Sequence, residues 1–271
     1  MIQLLNIIRG NKIVRINSNI SVYRYDIQRD FDYYFDAVIP IIENNFLLAD
    51  YSKMQDHNIS NFDLFPILCP SLPDCYKTIK QYVEFSQLKP DMVALDLGAY
   101  TALGSIAFAM EVGPNGKVIA IEPDSINHHC CIENIKRFNN LKKYSNIELI
   151  NAAVSSESKK VYFSGEGCLG SHIVNNPSNA RGKLEEVQAL TLYDLTKKLN
   201  RLDFVKCDIE GPEAYIFSDD RFFNMFRPRI IIEPHGNTEI CINTISKYNY
   251  QINVINQNGI SNLPLLECIP L

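Results

Sequence analysis

Residues 93–125 read VALDLGAYTALGSIAFAMEVGPNGKVIAIEPDS. Val93, Ala94 and Leu95 lead into Asp96-Leu97-Gly98-Ala99, which predicts a buried strand ending in an acidic, glycine-containing turn. Apolar residues at helical spacing follow until Gly113-Pro114-Asn115-Gly116 breaks the pattern. Residues 118–121 are a second apolar run, closed by Glu122-Pro123-Asp124. Strand, turn, helix and strand in that order predict a parallel pair. Asp96 and Glu122 then stand at the carboxyl ends of neighbouring strands, where open α/β sheets take their ligands. Glu122 can accept hydrogen bonds from both hydroxyls of a ribose. The small residues Gly98 and Ala99 let the backbone approach a ligand closely.

Two cofactor types use such a crevice, and the glycine spacing separates them. A dinucleotide needs G-x-G-x-x-G, so that backbone amides and a helix N-terminus hold its pyrophosphate. Here Gly98 and Gly104 lack that spacing, and the turn begins with a carboxylate that would repel phosphate. S-adenosylmethionine carries a sulfonium, an ammonium and a ribose diol but no phosphate, and it is the cofactor this turn favours.

The chain has 271 residues, 46% hydrophobic and 21% charged, enough for one large domain with an appendage. A net charge of −5 with scattered Lys and Arg argues against nucleic acid as a partner. The opening residues MIQLLNIIRGNK lack a basic lead-in and a small-residue cleavage site, so no signal peptide is expected. No segment approaches the roughly 20 apolar residues of a membrane span. Cysteines stand at 69, 75, 130, 131, 168, 207, 241 and 268 without a C-x-x-C pair, which fits free thiols in a reducing cytoplasm.

Residues 1–88 do not read as repeating βα units and are expected to form a cap or substrate region of hairpin plus helices. A hairpin is expected around Asn17-Ser18-Asn19. A helix is expected over 30–48, where Phe31, Tyr34, Phe35, Val38 and Ile41 share a face, and another over about 74–87. From 89 to 271 the pattern alternates. Strands are expected near 92–97, 117–122, 147–153, 203–208 and 229–234, and helices near 102–112, 125–139 and 191–200. Short strands near 160–163 and 186–189 flank a polar stretch containing Gly165, Gly167 and Gly170. Residues 250–255 and 263–269, either side of Asn256-Gln257-Asn258-Gly259, predict a C-terminal antiparallel hairpin. The expected fold is therefore α/β, with a mostly parallel, doubly wound sheet.

A second dense stretch is LDFVKCDIEGPE, residues 202–213. An apolar strand delivers Asp208 to its carboxyl end, Glu210 follows on the turn, and Gly211-Pro212 opens a helix with Glu213 in its first turn. Helix capping accounts for Glu213. Three acids within six residues need a cation or a donor between them. The next strand, RIIIEPHG at 229–236, ends in Glu233 and His235, so Asp208, Glu233 and His235 are expected along one sheet edge.

Five segments in order, LDLGAYTALGSIAFAMEVGPNGKVIAIEPDS, NAAVSSES, TLYDL, LDFVKCDIEGPEAYIF and RPRIIIEPHG, resemble the FkbM-type S-adenosylmethionine-dependent methyltransferases. The resemblance spans about residues 90–240 and leaves residues 1–88 unaccounted for. It implies a Rossmann-like class I methyltransferase fold, with a seven-stranded sheet and an antiparallel C-terminal hairpin. It places Asp96, Gly98, Ala99 and Ser105 in the loop around the methionine part of the cofactor, Glu122 on the ribose, and the Asn151-Ala152-Ala153 segment near the adenine; Tyr100, Pro123 and Asp208 are further candidate cofactor-binding residues. Asp208 and Glu210 fall in a K-x-D-x-E-G signature beside the methyl group, and Gly170-Ser171 resembles a turn over the site. The chain departs from the usual D-x-G-A-N-x-G: Tyr100 replaces Asn and Ala102 replaces the last Gly. Ala102 fits if its φ is negative, and Tyr100 could stack on the cofactor or narrow the pocket.

The reaction so implied is O-methylation of a small-molecule hydroxyl, with a sugar or nucleotide-sugar favoured, in the cytoplasm. Asp208, Glu210 and His235 are the candidate catalytic residues, His235 or Asp208 acting as general base. Alternatively, Asp208, Glu233 and His235 hold Mg²⁺ or Mn²⁺ and lower the hydroxyl pKa. A homo-oligomer is compatible with the sequence. An NAD(P)-dependent oxidoreductase and a catalytically silent binding module are the competing readings.

Overall fold

The strands that form the sheet alternate in which face they cover. Ala94, Val118, Ala120, Phe204 and Ile231 pack into one buried cluster. Their chain neighbours Leu95, Ile119, Ile121, Val205, Ile230 and Ile232 pack into another. Because successive strand residues point to opposite faces, an unbroken apolar run buries both, and helices must cover both. The computed structural model of the protein describes residues 13–17, 20–23, 37–39, 41–43, 46–51, 53–257 and 263–271. Its main sheet contains β1 (Val93–Leu97), β2 (Lys117–Ile121), β3 (Ile147–Ile150), β4 (Phe204–Cys207), β5 (Arg229–Ile232), β6 (Tyr250–Asn256) and β7 (Pro264–Pro270). Their order is β6-β7-β5-β4-β1-β2-β3. The first five are parallel, and β7 runs antiparallel to both β5 and β6. The strand order reverses between β1 and β4, so their carboxyl ends open the crevice in which a ligand sits.

Helices Tyr76–Ser86, Leu103–Val112 and Ser125–Lys142 fill the first face. Helices Leu192–Thr196, Glu213–Ile216, Asp220–Met225 and Thr238–Ile245 fill the second. The expected strand over 147–153 is split. Asn151-Ala152 interrupts it, and Ala153–Val154 joins a separate four-stranded sheet with Lys183–Leu190, Lys159–Gly165 and His172–Val174. The two short strands expected on either side of the polar stretch are thus longer and paired with each other.

At the N-terminal end Ile13–Asn17 pairs antiparallel with Ile20–Tyr23, as the hairpin pattern requires. The helix expected over 30–48 is corrected. Residues 30–36 lie outside the described residues, and Ile41–Glu43 and Phe46–Asp50 are paired strands. Their apolar, partly β-branched runs flank Asn44-Asn45, a turn-forming pair, and a run that short does not distinguish helix from strand by spacing. Of the eight cysteines, six are buried, and Cys75 and Cys168 are partly exposed.

The turn after β1 is held in a conformation its residues resist. Gly98 has φ +77°, Tyr100 +52° and Ala102 +63°. The condition under which Ala102 fits without strain, a negative φ, is therefore not met, and each non-glycine residue there costs about 1–2 kcal/mol. The surroundings hold it. Tyr100 N donates to Glu122 Oε2 at 2.8 Å, Tyr100 Oη donates to the Leu72 carbonyl, and Cys131 Sγ donates to the Tyr100 carbonyl at 3.1 Å. Ala102→Gly relieves the strain but adds chain entropy, for a net gain of about 0.5–1 kcal/mol. The denaturation midpoint should rise at constant m-value. A lower midpoint would mean that the buried Ala102 methyl contributes more by packing than its backbone strain costs.

Candidate active site

One side of the crevice is built from the ends of β1 and β2. Glu122 is almost fully buried, and its oxygens accept from Tyr100 N at 2.8 Å and Asp124 N at 3.0 Å. Burial outweighs these bonds and pushes its pKa up to about 8. Asp96 is buried too, and burial raises its pKa despite nearby Lys206. Its Oδ2 accepts from Ser105 Oγ at 2.5 Å, and its Oδ1 lies 3.4 Å from Lys206 Nζ. Ser105, expected at the methionine loop, is fully buried on the helix behind the turn and donates to Asp96. Tyr100 is likewise anchored through its hydroxyl to the Leu72 carbonyl, so it narrows the crevice wall.

The other side comes from β4 and β5. Lys206, opposite Asp96 in register, is a buried cation within the apolar strand FVKC. Its Nζ donates to the Gly98 carbonyl at 2.7 Å and lies 3.4 Å from Asp208 Oδ2. Burial opposes its charge, but Asp208, Asp96 and Asp74 together keep it protonated well beyond the usual range. Asp74 precedes the helix Tyr76–Ser86 and accepts from Thr101 Oγ1 at 3.2 Å. Burial pushes its pKa up to about 7. Glu233 accepts from Tyr82 Oη at 3.0 Å and is pushed, mainly by burial and then by Asp208, to about 7.

His235 completes this wall. Its Nδ1 is 2.6 Å from Glu213 Oε1, and its Nε2 is 3.8 Å from Asp208 Oδ1 and 3.7 Å from Glu210 Oε1. Burial disfavours the imidazolium, yet the Glu213 bond and the charges of Asp208 and Glu210 raise its pKa to about 9. Glu213 is fully buried, which corrects its reading as a solvated capping charge.

One cavity of about 720 Å³ joins both walls. Asp96, Gly98, Ala99, Tyr100, Glu122, Pro123 and Ala153 line it from the side of β1 and β2, and Asp208, Glu210, Glu233 and His235 line it from the side of β4 and β5. Among the expected site residues, Ser105, Asn151 and Gly170 do not line it. Asp208, Glu233 and His235 each offer a ligand atom within 4.8 Å of the others. Beyond β2, Asp124 Oδ1 caps the helix Ser125–Lys142, and its Oδ2 accepts from Gly167 N at 2.9 Å and Ser171 Oγ at 2.6 Å. That pins the Gly170-Ser171 turn at the cavity. Asn127 also lines the cavity, and its buried Oδ1 has no hydrogen-bond partner among the described residues. Lys206, Asp74, Tyr82 and Asn127 were not singled out as site residues from the sequence. For Lys206 the one available signal was a cation within an otherwise apolar strand.

These groups set how stability depends on pH. The carboxyls of Glu122, Asp74 and Glu233 are raised to about 8, 7 and 7, so between about pH 4 and those values the folded chain binds more protons than the unfolded one. Their burial therefore costs increasingly more as pH rises. His235, raised to about 9, contributes stability that is complete below about pH 6.5 and lost as pH passes 9. Both effects have the same sign, and the ligand-free protein should melt at progressively lower temperature from pH 6 to pH 9. A melting temperature that climbs over this interval would contradict the burial of these groups.

A seven-stranded, mostly parallel sheet with an antiparallel last strand, and an acid-and-glycine turn at its switch point, define a class I methyltransferase. Residues 96–252 match the methyltransferase FkbM domain, more than half of the chain. The chain belongs to the FkbM methyltransferase family and is an S-adenosylmethionine-dependent methyltransferase. Among solved structures it is similar to the methyltransferase FkbM from Methylobacillus flagellatus KT, at 16% identity and TM-score 0.49, over 70% of this chain and 50% of that one. It is also similar to precorrin-6y C5,15-methyltransferase from Geobacter metallireducens GS-15, at 14% identity and TM-score 0.46, over 72% and 88% of the two chains. Aeropyrum pernix fibrillarin, solved with natively bound S-adenosyl-L-methionine, is similar at 12% identity and TM-score 0.44, over 71% and 74%. No curated protein matches the sequence. No helix among the described residues is long and apolar enough to cross a membrane.

Proposed function

We propose that the enzyme methylates a hydroxyl oxygen of a sugar or sugar-bearing small molecule. The observation that carries this reading is the convergence of Asp208, Glu210, Glu233 and His235 on one half of the cavity, where side-by-side acceptors suit a polyhydroxylated ligand. On the other half Asp96, Gly98, Ala99 and Tyr100 enclose the methionine portion, and Glu122 and Pro123 take the ribose. Ala153 would lie against the adenine, and Asn127 Oδ1, without a partner among the described residues, would accept from its amino group. S-adenosylmethionine, when bound, would supply the methyl of its sulfonium to the acceptor oxygen and would leave as S-adenosylhomocysteine. Asp208 orients the hydroxyl. With Nδ1–H held by Glu213, the neutral form of the His235 imidazole offers Nε2 to receive the hydroxyl proton, and because its pKa is raised to about 9 that form, and turnover with it, grows as pH rises. Residues 1–88 supply part of the acceptor wall through Asp74 and Tyr82, in a cytoplasmic enzyme.

The donor set Asp208, Glu233 and His235 supports a second reading. Two carboxylates and an imidazole within 4.8 Å of one another suit Mg²⁺ or Mn²⁺, which would acidify the acceptor hydroxyl. S-adenosylhomocysteine release across a panel of sugars and nucleotide sugars, with and without EDTA, tests both. Turnover on a sugar that survives EDTA supports the general base, and loss restored by Mn²⁺ supports the metal. Turnover confined to amine or carbon acceptors would overturn O-methylation.

A further inference from the structure

We propose that Glu213 is a positioning residue that fixes which face of His235 the acceptor meets; this rests on the reading of His235 as the acceptor-facing group. Glu213 sits at the start of the helix Glu213–Ile216, where a carboxylate would ordinarily point to water, yet it is 0% exposed. Both of its oxygens are engaged. Oε1 lies 2.6 Å from His235 Nδ1, and Oε2 accepts from Asn237 Nδ2 at 2.9 Å. Asn237 is held in turn, because the same amide donates to the Gly211 carbonyl at 3.0 Å and its Oδ1 accepts from Cys241 Sγ at 3.2 Å.

A carboxylate accepts only, so the proton on this bond belongs to His235 Nδ1, and Nε2 becomes the atom that faces the cavity. Nε2 is indeed the atom directed to Asp208 and Glu210. The chain Cys241–Asn237–Glu213–His235 therefore runs from the buried interior outward and leaves the imidazole one orientation. Without Glu213 the ring would be free to rotate or to change tautomer, and Nδ1 could face the cavity in its place. A positioning carboxylate behind a functional histidine works equally behind a base and behind a metal ligand. Glu213 is thus needed under either reading of His235.

The test compares wild type with Glu213→Gln, Glu213→Asp and Asn237→Ala by nitrogen NMR of the His235 imidazole in the ligand-free protein. It also measures S-adenosylmethionine affinity by calorimetry, and steady-state kinetics on the sugar returned by the S-adenosylhomocysteine screen. For Glu213→Gln the expected result is loss of the Nδ1–H signal and a fall in kcat of about 10–100-fold, with S-adenosylmethionine affinity and acceptor KM close to wild type. Glu213→Asp should recover part of both losses. If Glu213→Gln does not fold, Asn237→Ala carries the test, with the same signature in smaller measure. An unchanged Nδ1–H signal and unchanged kcat would overturn the proposal. A lost signal with unchanged kcat would instead overturn the role of His235 on which it rests.

Discussion

Gly98→Ala is expected to unfold the cofactor side of the crevice and to abolish S-adenosylmethionine binding. A Cβ on Gly98 would lie 2.0 Å from the Asp208 carbonyl oxygen and 3.2 Å from Ile209 Cγ2. The first contact is with backbone, which cannot rotate away as a side chain can. Its φ of +77° adds strain for any L-residue. The turns after β1 and β4 would have to separate, breaking the bond from Asp208 N to the Leu97 carbonyl at 3.2 Å and that from Lys206 Nζ to the Gly98 carbonyl at 2.7 Å. Overpacking and strain together should cost about 2–5 kcal/mol, or a drop in melting temperature of roughly 5 °C or more. Calorimetry with S-adenosylmethionine should show no binding heat. A variant that keeps both its melting temperature and its affinity would show that the two turns are not in contact. The glycine was readable as a site of close approach. What approaches it is another strand's turn, 110 residues along the chain, as much as a ligand.

Asp208→Asn should lower turnover by about 10²–10⁴-fold, the range for losing a group that orients or deprotonates the nucleophile. Its structural cost should be small. Asp208 adds to the crowding that raises Glu233 and Glu210, so removing its charge relieves repulsion there. It also removes one of the ion pairs of Lys206, but Asp96 and the Gly98 carbonyl remain to hold the buried ammonium. The expected signature is a melting temperature near wild type, S-adenosylmethionine affinity within about tenfold, and kcat collapsed. Retained turnover on a true acceptor would remove Asp208 from the chemistry.

The sheet and its ligand edge were legible because the signals there are local. Apolar runs closed by Asp96, Glu122, Asp208 and Glu233 put each acid at a strand end, and adjacent strands then bring the ends together. The helix expected over 30–48 failed for the same reason in reverse: a few apolar residues at matching spacing carry no information about the partner strand that captures them. Lys206 and Glu213 have meaning only through residues distant in sequence or across a loop, Asp96 and His235 respectively. A buried lysine in a strand and a carboxylate after a proline look like exceptions to burial until those partners are in place. Tyr100 and Ala102 were readable as departures from a family spelling. Their left-handed backbone was not, because the force holding it comes from Glu122, Leu72 and Cys131.

The Lys206 ammonium gives the crevice a counter-ion that belongs to the chain. Mobile ions damp interactions between exposed charges over about 8 Å at physiological ionic strength, but they act through water, and this ammonium is shielded from it. With Asp96 and Asp208 each 3.4 Å from its nitrogen, the field at the inner end of the crevice is set by covalent connectivity and not by the medium. Surface pairs such as Lys117 with Glu148 weaken as salt is added, whereas the potential at the inner end of the crevice changes much less between dilute buffer and a crowded, saline interior.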